Sequence, residues 1–99
     1  MSETYIKRGR DTAARRLGDE TIIMSVKDSR VFTLNPTASA IWGAADGLTT
    51  LREIVAREVV PEFEVEAETA YRDALELVEE LAREGILTVT DRPVTAEQS

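Results

Sequence analysis

The stretch RVFTLNPTASAIW, residues 30–42, changes its hydrophobic period in mid-course, and that change decides the fold. Up to Asn35 the period is two, so Phe32 and Leu34 share one face of a strand while Val31 and Thr33 share the other. Beyond the Asn35-Pro36 corner, Ala38, Ile41, Trp42 and Ala45 recur in helical steps of three and four. The Asn35 side chain suits the N-cap, and Pro36 suits the first helical position because its missing N–H has no partner there anyway. Trp42 reads as a core residue of this helix.

Working back from that corner, TIIMSV (21–26) is rich in β-branched residues and AARRL (13–17) precedes it across Gly18-Asp19, a turn pair. KDSR makes the next turn, so three strands precede the first helix. Working forward, Asp46-Gly47 is expected to end that helix, and Thr50 to Glu53 (TLRE) forms a capping-box pattern. A second helix follows with Leu51, Ile54, Val55 and Val59 inward, and Pro61 is expected to stop it. The longest helix runs from about Glu66 to Glu84, its stripe traced by Ala67, Ala70, Tyr71, Ala74, Leu77, Val78 and Leu81. Gly85 closes it, and residues 86–90 (ILTVT) read as a last strand. The expected architecture is α+β: an N-terminal three-stranded antiparallel sheet packed on a three-helix winged helix-turn-helix-like module. It occupies residues 12–90, with a flexible basic segment at 1–11 and a polar tail at 91–99.

A chain of 99 residues, 42% apolar, builds one modest core. It contains neither Cys nor His. Disulfides, thiolate nucleophiles, Cys/His zinc sites and Ser-His pairs are therefore excluded. No run approaches the roughly 18 apolar residues of a membrane span, and the N-terminal stretch lacks the apolar centre of a secretory signal. A cytoplasmic location is the expectation.

The winged-helix pattern raises DNA binding as the alternative function. The formal charge is −7, from 19 acidic and 12 basic residues, and residues 61–84 hold nine acids against Arg72 and Arg83. A reading helix of that sign meets repulsion between phosphates, so only the arginines and lysine of residues 7–16 would serve such a role, as an arm. A carboxylate enzyme would have to use Glu76, Glu80 and Glu84 at i,i+4 spacing. That spacing on a long helix is the ordinary mark of a solvated face, and no nucleophile and base pair, phosphate loop or metal motif accompanies it. No cofactor, metal or catalytic residue is expected.

The segment VFTLNPTASAIWGAADGLTTLREIV, followed some twenty residues later by ELVEELAREGIL, resembles the PqqD family, named for pyrroloquinoline quinone biosynthesis protein D. The strand ending in LNPTA, the IW pair, DG with a threonine and EIV, and the final GIL carry the likeness, over about residues 12–90. The resemblance implies binding without catalysis: such proteins hold the leader segment of a ribosomally made precursor peptide for a separate modifying enzyme. A radical S-adenosylmethionine enzyme fills that place where the product is pyrroloquinoline quinone. It also implies that the leader adds as an extra strand beside the third strand, in the groove before the third helix. On this chain Arg30, Val31, Phe32, Thr33 and Leu34 would offer the edge, and Tyr71, Arg72, Leu75 and Val78 the opposite wall. The acidic third helix points to a leader bearing basic or apolar residues. The chain by itself would be a monomer or a homodimer, since an open edge can also pair with its own copy.

Overall fold

Two three-stranded antiparallel sheets and a set of helices make up the α+β fold, and the computed structural model describes residues 3–93. The first expected sheet forms as read: β2 (Thr12–Leu17), β3 (Glu20–Ser25) and β4 (Arg30–Leu34) pair in the order β2-β3-β4. Gly18, at φ 64°, takes the first corner of the two-residue turn between β2 and β3, where a residue with a Cβ would be strained. Ile23 and Leu34 are buried on the inner face of this sheet, and Val31 on the outer face is 58% exposed.

The second sheet was not legible in the sequence. Its central strand is β1 (Tyr5–Arg8), flanked by β5 (Asp46–Thr50) and β6 (Leu87–Thr90). The expected flexible segment at 1–11 is thus corrected: residues 5–8 pair on both sides, and the Ile6 side chain is fully buried in the core. Beyond Arg8 the chain stays close-packed, because the Gly9 N–H donates to the Ile86 carbonyl at 2.9 Å and a Cβ at Gly9 would lie 2.3 Å from the Gly85 oxygen. Arg8 is held too, its guanidinium donating to the carbonyls of Trp42 (3.2 Å) and Gly43 (2.8 Å) and lying over the Trp42 ring. Of the expected tail, residues 94–99 lie outside the described residues, as do residues 1 and 2.

Helix α1 (Pro36–Gly43) starts as predicted, with Asn35 Oδ1 accepting from the Ala38 N–H at 2.8 Å. It ends earlier than expected. Asp46-Gly47 does not cap it but opens β5, where Asp46 Oδ1 accepts from the N–H groups of Leu48 and Thr49, both at 2.9 Å. Those bonds to the charged form, first that of Leu48, hold the Asp46 carboxyl below the usual aspartate value.

Thr50 caps α2 (Leu51–Ile54) through Oγ1 and the Glu53 N–H, 3.1 Å apart. Pro61 does not end this helical run. A π-helical stretch, Val55–Val59, intervenes, with the Val60 N–H reaching back to the Val55 carbonyl, and Pro61 then occupies the first turn of α3 (Val60–Phe63). A proline is tolerated there because the first turn of a new helical segment asks for no N–H from it. Glu64, at φ 53°, makes the stop instead.

Helix α4 (Ala67–Arg83) buries Ala70, Ala74, Val78 and Leu81. Its end is a Schellman closure: the Gly85 N–H donates to the Ala82 carbonyl and the Ile86 N–H to the Leu81 carbonyl, with Gly85 at φ 84°. The core joins Ile6, Ile23, Ile41, Leu51, Ile54, Val78 and Ile86. Trp42 belongs to it as expected, its indole N–H donating to the Ile86 carbonyl at 3.3 Å.

Candidate functional site: an open edge facing a helix

Strand β4 has β3 on one side and, among the described residues, no strand on the other. Which of its amides are free follows from parity. The Val26 N–H donates to the Asp11 carbonyl at 2.7 Å, which continues the β2–β3 ladder by one pair. In an antiparallel ladder, a residue directs its N–H and C=O to the same side, and successive residues alternate. Even-numbered residues near β3 therefore serve β2, and Thr21, Ile23 and Ser25 serve β4. Their partners in register are Leu34, Phe32 and Arg30. Val31 and Thr33 are left with their backbone groups directed outward, two donors and two acceptors on an open edge.

The side chains of β4 alternate in the complementary sense. Phe32 and Leu34 turn inward, Leu34 only 4% exposed, and with Ala38 they floor a groove of about 420 Å³. The far wall is α4, which contributes Leu77, Glu80, Leu81 and Glu84. Arg30 closes one end: its guanidinium pairs with the Glu84 carboxylate and lies 5.0 Å from the centre of the Phe32 ring. At the other end, Asn35 and Leu77 also line a second hollow of about 350 Å³ with Ile41, Val59, Phe63, Val65 and Ala70, so that the groove continues past the end of the strand into an apolar pocket.

Of the five residues expected on the strand side, Val31, Phe32, Thr33 and Leu34 line the groove, and Arg30 reaches its end through the pair with Glu84. The four expected on the helix do not line it. Tyr71 lies under the Arg52 guanidinium, 4.0 Å from its ring centre, Arg72 is exposed, Leu75 packs against the core, and Val78 is fully buried within it. The error is one of helical phase. Leu77, Glu80, Leu81 and Glu84 stand on the flank of the apolar stripe opposite the one chosen, and a stripe this wide does not say which flank a strand will face. Glu80 and Glu84, whose i,i+4 spacing marks a solvated face in the sequence, lie on that flank.

A larger depression, about 500 Å³, borders the Pro36–Ala40–Gly43 side of α1 and is lined by charged side chains of both signs, among them Arg16, Asp19, Arg57 and Glu62. There the charged side chains outnumber the apolar ones, Pro36, Ala40, Ala44 and Phe63. Among the described residues, no group of Asp and Glu is placed to hold a metal ion, and no helix is long and apolar enough to cross a membrane. Four of the five basic residues that would form a DNA-binding arm are built into strands, Lys7 and Arg8 into β1, Arg15 and Arg16 into β2, and Arg10 lies in the turn between them.

The family model described as Coenzyme PQQ synthesis protein D (PqqD) matches residues 20–87. Those bounds run from the start of β3 to the start of β6 and contain both walls of the groove. No curated protein matches the chain in sequence. Among solved structures, TbiB1 in complex with the TbiA(beta) leader peptide superposes with a TM-score of 0.74, over 82% of this chain and 93% of that one, at 23% sequence identity. At that identity the likeness establishes a shared fold.

Proposed function

The chain belongs to the PqqD family, and from that premise we propose that it captures the leader segment of a ribosomally made precursor peptide by strand addition to β4. The observation that carries this reading is the open edge at Val31 and Thr33 standing across a groove from α4. An extended peptide laid there completes the backbone pairing of the edge, which gives affinity nearly blind to sequence. Its inward side chains meet Phe32, Leu34, Leu77 and Leu81, which gives selection. TbiB1, which shares the fold, is a protein in complex with a leader peptide, and this supports the assignment.

The role is non-catalytic and cytoplasmic in this proposal: the chain holds the leader while a separate enzyme modifies the rest of the peptide. A radical S-adenosylmethionine enzyme is the partner where the pathway makes pyrroloquinoline quinone. The helices with the β5-β1-β6 sheet form a winged-helix-like support in this reading, and the binding element is the other sheet.

The test is an NMR titration of the isotope-labelled chain with the precursor peptide encoded alongside its gene, and separately with a short random DNA duplex. Amide shifts concentrated at residues 30–35 and 77–84 with the peptide, and none with DNA, are expected. Shifts with DNA alone, centred on Lys7, Arg8, Arg15 and Arg16, would replace this function with nucleic-acid binding.

A further inference from the structure

The groove is not neutral, and its charge is unevenly compensated. Along α4 the side chains that line the groove and its apolar extension include Asp73, Leu77, Glu80 and Glu84. Opposite them, the β4 lip carries one cation, Arg30, and that cation is already committed to Glu84 and to the face of Phe32. Glu80, one turn before Glu84, forms no salt bridge among the described residues, nor does Asp73. A peptide entering the groove therefore meets a balanced pair at one end, the uncompensated Glu80 beside the strand, and Asp73 beyond it in the apolar extension.

We infer that this wall selects a cationic leader: one Lys or Arg whose charged end reaches Glu80, with apolar groove-facing neighbours over Phe32, Leu34 and Leu77. The spacing supports it. Groove-facing residues of an added strand repeat every 6.7 Å or so, and Glu80 and Glu84, four helical residues apart, lie about 6 Å apart along the axis. Successive inward positions of the leader thus fall one at the Arg30–Glu84 pair and the next at Glu80. A long Lys or Arg stem covers apolar surface while its head reaches the carboxylate. An acidic side chain at the same place would face Glu80 across a surface that peptide binding partly dries, where repulsion is least screened. Arg30 acts in the opposite sense: by occupying Glu84 it confines the cation preference alongside β4 to Glu80.

This inference rests on the strand-addition reading, and the test separates the two. The full chain is panned against displayed random peptides of about twelve residues at about 50 mM salt and again at about 300 mM. Enriched peptides are re-tested on the Thr33→Pro chain, which lacks an outward amide. Among peptides that need that amide, Lys and Arg should exceed Asp and Glu about tenfold at low salt, the ratio falling toward about twofold at high salt. Glu80→Lys should reverse the preference, whereas Arg30→Gln, which frees Glu84, should strengthen it, a pair of opposite outcomes that loss of structure would not produce. Equal enrichment of both charges, or of acids, would overturn the charge selection and leave peptide capture standing. Failure to enrich any peptide dependent on the Thr33 amide would overturn both.

Discussion

Strands β2 and β4 are the two edges of the same sheet, and only β4 faces a groove walled by leucines of α4. Both direct alternate amides outward: Thr12, Ala14 and Arg16 on β2, Val31 and Thr33 on β4, by the same parity. β2 is the longer strand, yet nearly all of it is exposed, and it sets Arg15 and Arg16 side by side. Charges on an edge are a standard means of discouraging a further strand. β4 carries no charge between Arg30 and its end, buries Leu34 and half-buries Phe32, and has α4 opposite. Free backbone groups are common to both edges. The difference is the chemistry of the wall: the inner face of β2 borders a hollow of about 410 Å³ whose lining includes Arg8, Arg16, Thr12, Thr21 and Ser39, whereas a peptide on β4 would bury its inward side chains against Phe32, Leu34, Leu77 and Leu81.

Proline substitutions break this comparison most sharply. Phe32→Pro removes an N–H that serves β3, and about 3 kcal/mol or more of stability should be lost in chemical denaturation. Thr33→Pro, one residue away, removes an N–H that serves only an added strand. Calorimetry should find peptide affinity weakened by about 2 kcal/mol with the melting temperature nearly unchanged. Ala14→Pro on β2 should alter neither quantity appreciably. A Thr33→Pro chain that still bound peptide at full strength would end the strand-addition account.

The next largest effect tests which flank of α4 forms the wall. Leu77→Ala should weaken peptide binding by about 1 kcal/mol, by loss of apolar contact. Tyr71→Ala should leave affinity unchanged and lower stability instead, since its ring packs under Arg52. Reversed results would return the wall to the flank first read from the sequence.

A substitution remote from both edges sharpens the contrast between fold and site. At Gly9, a Cβ would collide with the Gly85 carbonyl, so Gly9→Ala should destabilise the chain by about 1–3 kcal/mol in denaturant without changing peptide affinity per folded molecule. The smallest effect is expected at Asp46. Its carboxyl titrates lower folded than unfolded, so its stabilisation is present above the unfolded value of 3.8 and is lost as pH falls through the folded one. Asp46→Ala should lower stability near neutral pH by less than about 1 kcal/mol, and the difference from the parent should vanish in strong acid.

The elements that were legible are those in which a local rule and the tertiary context agree. Asn35-Pro36, the Thr50 cap, the Gly85 closure and the hairpin at Gly18 each satisfy backbone groups within a few residues, and each forms. The readings that failed needed a distant partner. Tyr5–Arg8 contains one aliphatic residue among polar neighbours and looks like a frayed end, until β5 and β6 close on either side and Ile6 enters the core. Pro61 looks like a stop because a π-helical stretch has no recognisable signature in advance.

The sequence by itself determined that this is an α+β chain without thiol or imidazole chemistry, that β4 runs into a capped helix, and that the chain is similar to PqqD. These depend on residue types and near-neighbour spacing. Only the tertiary structure decided that the N-terminal strand is central, that Leu77, Glu80, Leu81 and Glu84 rather than Tyr71, Arg72, Leu75 and Val78 line the groove, and that Arg30 is paired with Glu84. The reason is rotational. An amphipathic helix announces that it has a buried side, but its turn about its own axis is set by what packs against it. One residue of phase, about 100° around the helix, separates the core-facing Val78 from the groove-lining Leu77.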